Sequence, residues 1–236
     1  MITYMKKPVF IENQIYHIFN RGVEKRNVFS KTKDYLRFIH NLFEFNNEYP
    51  VLNMNYYFNA GKTSQIPSLR KPRKLLVEIL IFTLMPNHFH LVLKQKKENG
   101  IVKFMQKLGT GYTMYFNQKY QRVGALFQGR FKATFIQSQA HFLYLPHYLH
   151  ATNPLSNYGG STSIDSKMKF LENYRWSSFP DYIGKKKFPS VTQKEFFLEF
   201  FGGKEKYKKE TERFLIERND NYLNEIKDIA IENYGG

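Results

Sequence analysis

The chain has 236 residues and no cysteine, and its 36 Lys and Arg against 20 Asp and Glu give a formal net charge of +16. The lack of cysteine excludes disulfides and thiolate metal sites, so any bound metal must take nitrogen and oxygen ligands. The positive surplus favours a polyanionic partner, and the 17% aromatic content supplies rings on which single-stranded bases can stack. An AT-rich genome would explain part of the same composition.

The N-terminal segment lacks the apolar core of a signal peptide, and no window approaches the roughly 18 apolar residues of a membrane span. We therefore expect a cytoplasmic protein with no membrane partner. The length suffices for one full core, with extra residues for insertions or a tail.

In chain order, alternation and helical spacing predict a strand, a helix, a strand hairpin, a second helix, a strand and a third helix. The predicted segments are Gln14–Gly22, Thr32–Asn46, Leu75–Met85 with His88–Gln95, Ile101–Tyr120, a loop and strand within Gly124–Ile136, and Ser138–Leu155. Residues 50–74 are irregular and basic, which indicates an insertion. From Thr192 the chain turns helical and charged.

The order β-α-β-β-α-β-α predicts an α+β fold, a ferredoxin-like sandwich with a central antiparallel sheet and helices on one face. An added helix and a C-terminal helical extension complete it. We expect a catalytic domain over residues 1–185, carrying the insertion at about 50–74, and the extension over residues 186–236.

Two histidines stand two positions apart in the apolar strand "HFHLVLKQ". Since alternate strand residues point to one face, His88 and His90 project together and can bind one divalent cation. Two ordinary, hydrogen-bonded histidines would fit the same spacing. The pair alone therefore does not distinguish a metal site from a structural one.

Several segments together resemble the single-tyrosine HUH transposases, the IS200-like family, and within it the REP-associated tyrosine transposases. The resemblance runs from about Ile15 to Gly184 and is carried, in order, by "YHIFNRGVEKRNVF", "MPNHFHLVL", "YTMYFNQKYQRVGALFQGRFKA", "HYLHATNPL" and "NYRWSSFPDYIG". It implies a metal-dependent enzyme that nicks and transfers single-stranded DNA. The expected partners are single-stranded or hairpin DNA in the nucleoid, with the protein acting as a monomer or homodimer.

The resemblance also implies roles for individual residues. His88 and His90 would bind Mg²⁺ or Mn²⁺, with Asn153 as the best match for a third ligand. Tyr148 matches the nucleophile, which would form a 5′-phosphotyrosine intermediate. Tyr144, one helical turn earlier, is a rival nucleophile, a base-stacking residue or a core residue.

The segment "HYLHATNP" departs from the family pattern, because it has one residue more between the tyrosine and the asparagine. One added residue rotates a helix by about 100°. Either the helix loosens before Pro154, or Asn153 does not bind the metal and His150 or Thr152 takes its place.

Basic residues near these motifs are candidates for nucleic-acid binding. Arg130 and Lys132 alternate in "QGRFKA", and Arg21 lies at the end of the first predicted strand segment. Arg130 could equally form a buried ion pair, and Trp176 is better explained as a core residue than as a base platform. Two other functions stay open: a non-catalytic, domesticated protein that recognises hairpin or repeat DNA, and a two-histidine metallohydrolase.

Overall fold

The computed structural model describes residues 8–50 and 72–217, so most of the predicted insertion at 50–74 lies outside the described residues. The four strands are β1 (Ile15–Arg21), β2 (Val77–Met85), β3 (His88–Gln95) and β4 (Lys132–Phe135). The helices are α1 (Thr32–Glu44), α2 (Gly100–Lys119), α3 (Gln139–His147), α4 (Asn153–Leu155), α5 (Ile164–Asn173), α6 (Phe179–Tyr182), α7 (Glu195–Phe201) and α8 (Lys204–Ile216). A short 3-10 turn (Val23–Lys25) follows β1, and a π-turn (Tyr148–Thr152) joins α3 to α4. None of the described helices is long and apolar enough to cross a membrane.

The four strands form one antiparallel sheet in the order β2-β3-β1-β4. This is the strand order of a ferredoxin-like sandwich, and it confirms the predicted α+β fold. The β2–β3 hairpin is tight: Met85 pairs with His88 across the two-residue turn Pro86–Asn87. Side chains alternate between the two faces along a strand, so this pairing fixes which side chains of β3 face each side of the sheet.

Each face of the sheet is covered by its own buried apolar cluster. Residues such as Ile18, Phe89 and Leu91 face α1 and α2. On the other face, Ile81 and Val92 pack under the segment from α3 to α8. The predicted added helix is thus α3 with its continuation, and it covers the face that carries His88 and His90.

The C-terminal helices α7 and α8 pack against the α3 segment. Phe197, Tyr207 and Phe214 belong to the same buried cluster as Leu149. The imidazole of His147 lies 2.9 Å from the Thr211 hydroxyl. The helical character of the predicted extension is present in α7 and α8, whereas the domain boundary at residue 185 stays a prediction.

A buried carboxylate ties α1 to α2. The Asp34 side chain is fully buried. It accepts hydrogen bonds from the Tyr115 hydroxyl (3.0 Å), the Tyr120 hydroxyl (2.7 Å), the Lys119 ammonium and the backbone amides of Ser30 and Lys31. Burial opposes ionisation, but these donors together hold the pKa of Asp34 below its ordinary value.

Asp34→Asn should therefore destabilise the protein by about 1.5–3 kcal/mol at pH 7, the usual range for hydrogen bonds to a charged group. Because the folded pKa lies below the ordinary carboxyl value of 3.8, the contribution is complete at neutral pH and is lost as the pH falls through the folded pKa. Urea unfolding of both proteins at pH 7 and near pH 3 measures this. A difference in stability that stays constant with pH would contradict an ionised Asp34 as the cause.

Candidate metal and nucleophile site

β3 places both histidines on the sheet face under the α3 segment. His88 is 9% exposed and His90 is fully buried. Their ring centroids lie 5.1 Å apart. Across the sheet, His88 pairs with Arg21 and Met85, while His90 pairs with Phe19 and Thr83. The predicted common face of the two histidines is therefore present.

Each imidazole makes one hydrogen bond through its Nδ1 atom. His88 Nδ1 lies 2.6 Å from Asn87 Oδ1, and His90 Nδ1 lies 2.9 Å from Nε2 of a third histidine, His17. His90 Nε2 is buried and has no hydrogen-bond partner among the described residues. A buried ring nitrogen without a partner is the group that a bound cation would satisfy.

Both imidazoles are neutral at ordinary pH. Burial, aided by the nearby Arg21 guanidinium, lowers the pKa of His88 to about 4. Burial, with smaller effects of His88, His17 and Arg21, lowers the pKa of His90 well below its ordinary value. A neutral imidazole keeps a lone pair, which a metal ligand requires.

The Tyr148 segment is fastened to the sheet beside His90. The Thr83 hydroxyl donates a 2.9 Å hydrogen bond to the Leu149 carbonyl, and Thr83 is the cross-strand partner of His90. Tyr148 itself is fully buried in the cluster between sheet and helices, whereas Tyr144 is half-buried. Both tyrosines thus lie on the helix that covers the histidine face.

The helix loosens at the position where the sequence has one residue too many. Residues Tyr148–Thr152 form a π-turn, in which the Asn153 amide donates to the Tyr148 carbonyl five residues back. A π-turn accommodates one extra residue within an otherwise α-helical path. Of the two alternatives from the sequence, the structure therefore has the loosened helix, and Asn153 lies one turn beyond Tyr148.

Pro154 explains why the Leu149 carbonyl is available to Thr83. In an α-helix its donor would be the Asn153 amide, which is used by Tyr148. In a continued π-helix its donor would be residue 154, a proline without an N–H. Thr83 supplies the missing donor. Because Pro154 has no N–H, the π-turn ends with a carbonyl that Thr83 satisfies instead, and this hydrogen bond anchors the helix beside His90.

The three candidate third ligands differ in their surroundings. Both ring nitrogens of His150 are engaged at 2.7 Å, one with the Tyr207 hydroxyl and one with the Ser178 hydroxyl. Asn153 Nδ2 and Thr152 Oγ1 are buried and have no hydrogen-bond partner in the described part of the chain. A flip of the Asn153 amide would put its oxygen, a ligand for hard cations, in the same place.

The predicted basic residues separate into two groups. Arg21 and Lys132 share the histidine face, because Arg21 pairs with His88 and Lys132 with Phe19. Arg130 does not alternate with Lys132 on a strand, since β4 begins only at Lys132. Arg130 instead lines a groove with Phe38 and Phe89, on the α1–α2 side of the sheet.

Sequence reasoning missed one residue of this site and placed another correctly. His17 was not singled out, although it alternates with Phe19 and Arg21 on β1 and so shares their face. Trp176 packs against the apolar core, as expected from the sequence, with its side chain partly buried. It stacks on Tyr35 with ring centroids 4.4 Å apart and lines a cleft of about 540 Å³ with Arg175 and other basic and aromatic residues.

The residues at this site fit a divalent cation held partly by the protein. No group of three or more His, Cys, Asp or Glu side chains suited to a metal occurs among residues 8–50 and 72–217. The candidate ligands here are two neutral imidazoles and an amide or hydroxyl oxygen. Such a set contains only two His, Cys, Asp or Glu side chains, so it would not form a group of three. The buried His90 Nε2, without a hydrogen-bond partner among the described residues, agrees with that set.

Three comparisons with known proteins bear on the chain. The family model described as "Transposase IS200 like" matches residues 70–152, about a third of the sequence. A solved structure titled "Structure of the REP associates tyrosine transposase bound to a REP hairpin" is 10% identical, with a TM-score of 0.47, and the alignment covers 80% of this chain and 90% of that one. No curated protein matches the chain. Residues 70–152, which include both histidines, Tyr148 and the π-turn, thus match the IS200-like transposase family, as the sequence motifs predicted.

Proposed function

We propose that this protein nicks single-stranded DNA and transfers the cut strand through a covalent phosphotyrosine, with His88, His90 and Tyr148 as the reacting site. The observation that carries the proposal is the buried His90 Nε2 without a partner, beside a helix fastened at Leu149 next to the candidate nucleophile. The match of this region to the IS200-like transposase model supports the same reaction class.

The chain would hold Mg²⁺ or Mn²⁺ with His88, His90 and the Asn153 side chain. When bound, the cation would polarise a phosphoryl oxygen and orient the scissile ester. Arg21 pairs with His88 at the same end of the sheet, and its buried Nε has no hydrogen-bond partner among the described residues. Its guanidinium is therefore suited to donate charge-assisted hydrogen bonds to a phosphate oxygen.

Tyr148 would supply the nucleophile. Its phenolic oxygen, after losing its proton to water, would form a bond to phosphorus. The bond from phosphorus to the 3′ oxygen would break, and the departing oxygen would take up a proton from water. One DNA fragment leaves with a 3′-hydroxyl and the other stays attached as a 5′-phosphotyrosine. Because the phosphodiester energy is kept in the protein link, rejoining to another 3′-hydroxyl needs no ATP.

This chemistry requires the closed site to open. Tyr148 and His90 have no exposed surface, so a DNA strand cannot touch either one in this conformation. The π-turn after Tyr148 leaves the Leu149 carbonyl dependent on the Thr83 hydroxyl, because Pro154 has no N–H. We propose that the segment from α3 to α4 moves away from the sheet when DNA binds.

The same burial favours a second candidate function. A protein whose tyrosine stays enclosed would bind DNA without cutting it, using its net charge of +16 and the aromatic, basic cleft at Trp176. This is the non-catalytic, repeat-binding protein considered from the sequence.

The decisive experiment is to incubate the full chain with labelled single-stranded and hairpin DNA in Mn²⁺ or Mg²⁺ and then to denature it. We expect a protein–DNA adduct that withstands denaturation. Prior chelation with EDTA should remove at least about 99% of it, because the cation supplies several kcal/mol to the transition state. Added Mn²⁺ should restore it. DNA binding without an adduct on any substrate would favour the binding protein, and an adduct that forms in EDTA would contradict the metal site.

A further inference from the structure

The third histidine of the sheet, His17, contacts the candidate metal ligand directly. It lies on β1, is fully buried, and sits diagonally across from His90 on the same face. Its Nε2 lies 2.9 Å from His90 Nδ1. The two rings are nearly parallel, with an interplanar angle of 13° and centroids 5.1 Å apart.

Between two ring nitrogens there is room for one hydrogen, and its position decides what His90 can do. If His90 Nδ1 carries it, the hydrogen bond runs from His90 to His17, and His90 Nε2 is a bare lone pair. If His17 Nε2 carries it, a neutral His90 must hold its own hydrogen on Nε2. That second arrangement buries an N–H with no acceptor among the described residues, at a cost of about 1–3 kcal/mol.

We propose that His17 is a positioning residue of the metal site, which accepts the Nδ1 hydrogen of His90 and thereby keeps Nε2 deprotonated and directed at the cation. The proposal rests on the proposed function, because it requires that His88 and His90 bind a metal. A hydrogen-bond acceptor behind a metal-bound imidazole fixes its tautomer and orientation and makes it a stronger ligand.

The register of β1 against β3 places His17 and His90 close enough for this contact. Phe19 is the direct partner of His90, and Val92 is the direct partner of His17, so the two histidines meet only along the diagonal. Diagonal neighbours are far enough apart that long side chains are needed to bridge them. A shorter side chain at position 17 would leave His90 Nδ1 without this partner.

The test uses nitrogen-15 NMR of the imidazoles in the full-length, metal-free protein, followed by Mn²⁺ titration calorimetry. We expect wild-type His90 in the tautomer with hydrogen on Nδ1. His17→Phe, which keeps a ring but removes the acceptor, should mix the tautomers and weaken Mn²⁺ binding about 10–100-fold. His17→Gln retains a carbonyl acceptor and should restore most of the affinity.

His147→Phe is the matched control, since it also replaces a buried, hydrogen-bonded histidine, but one that contacts Thr211 and α8. It should leave Mn²⁺ affinity and the His90 tautomer unchanged. A wild-type His90 with hydrogen on Nε2 would overturn the proposal even if the His17 variants do not fold. Unchanged Mn²⁺ affinity in a folded His17→Phe would overturn it too. The NMR result needs no metal, so a wild-type protein that binds no Mn²⁺ refutes the proposed function separately.

Discussion

Tyr148→Phe should eliminate the covalent protein–DNA adduct while leaving the fold and the affinity for DNA close to wild type. Phenylalanine keeps the buried ring that packs in the cluster with Leu149 and Val92, but it has no oxygen to attack phosphorus. The loss of a hydroxyl should change stability by only about 1 kcal/mol. Denaturing gels of labelled DNA report the adduct, and filter binding or anisotropy reports the affinity.

Tyr144→Phe is the matched control, because it makes the same change one helical turn earlier. We expect the adduct to survive in this variant, since Tyr144 lies outside the π-turn and one helical turn further from the anchored Leu149 than Tyr148 does. The opposite pattern, with the adduct lost in Tyr144→Phe and retained in Tyr148→Phe, would reverse the assignment. Loss of DNA binding in Tyr148→Phe would indicate a binding role for its hydroxyl instead of a covalent one.

The sheet could be predicted from the sequence because its signals are local. The run His88–Gln95 matches β3 at both ends, and the turn Pro86–Asn87 fixes the hairpin. Alternation along one strand also suffices to place His88 and His90 on one face. These features depend on residues within about ten positions of each other, where side-chain period and turn chemistry decide the structure.

The contacts that complete the site could not be predicted, because they join distant parts of the chain. The His17–His90 bond spans 73 positions and depends on the register between β1 and β3. The Thr83–Leu149 bond spans 66 positions and depends on the path of the helix over the sheet. Likewise, the strand containing Lys132 begins too late to include Arg130, because pairing with Phe19 starts at Lys132.

The π-turn could be predicted only in part, because local spacing and a distant contact both determine it. Sequence spacing showed the extra residue and left two alternatives, a loosened helix or a displaced Asn153. The tertiary structure favours the loosened helix, since Thr83 satisfies the Leu149 carbonyl that the turn leaves without a donor. A buried carbonyl left without a donor would cost about 1–3 kcal/mol, so the sheet stabilises the irregular turn.

Deletion of Ala151 should therefore preserve adduct formation to within about tenfold, although the residue is fully buried beside the proposed nucleophile. Without it, Asn153 follows Tyr148 by four positions, so its amide reaches the same carbonyl through an ordinary α-helical bond. Pro154 then stands four positions after Leu149 and still offers no N–H, so the Leu149 carbonyl stays available to Thr83. Both the anchor and the relation of Asn153 to Tyr148 are kept.

Insertion of one alanine after Ala151 is the comparison variant, because it lengthens the same segment that the deletion shortens. Asn153 then stands five positions after Leu149, where Pro154 stood before, so its N–H can compete with Thr83 for the Leu149 carbonyl in the π-helical manner. Asn153 also turns by about 100° away from Tyr148. Displacement of a reacting group by about 1 Å can cost on the order of 100-fold in rate, so adduct formation should fall at least that much. Circular dichroism and thermal melts verify that both variants fold. If the deletion abolishes the adduct in a folded protein while the insertion retains it, the π-turn does not serve to align Asn153 with Tyr148.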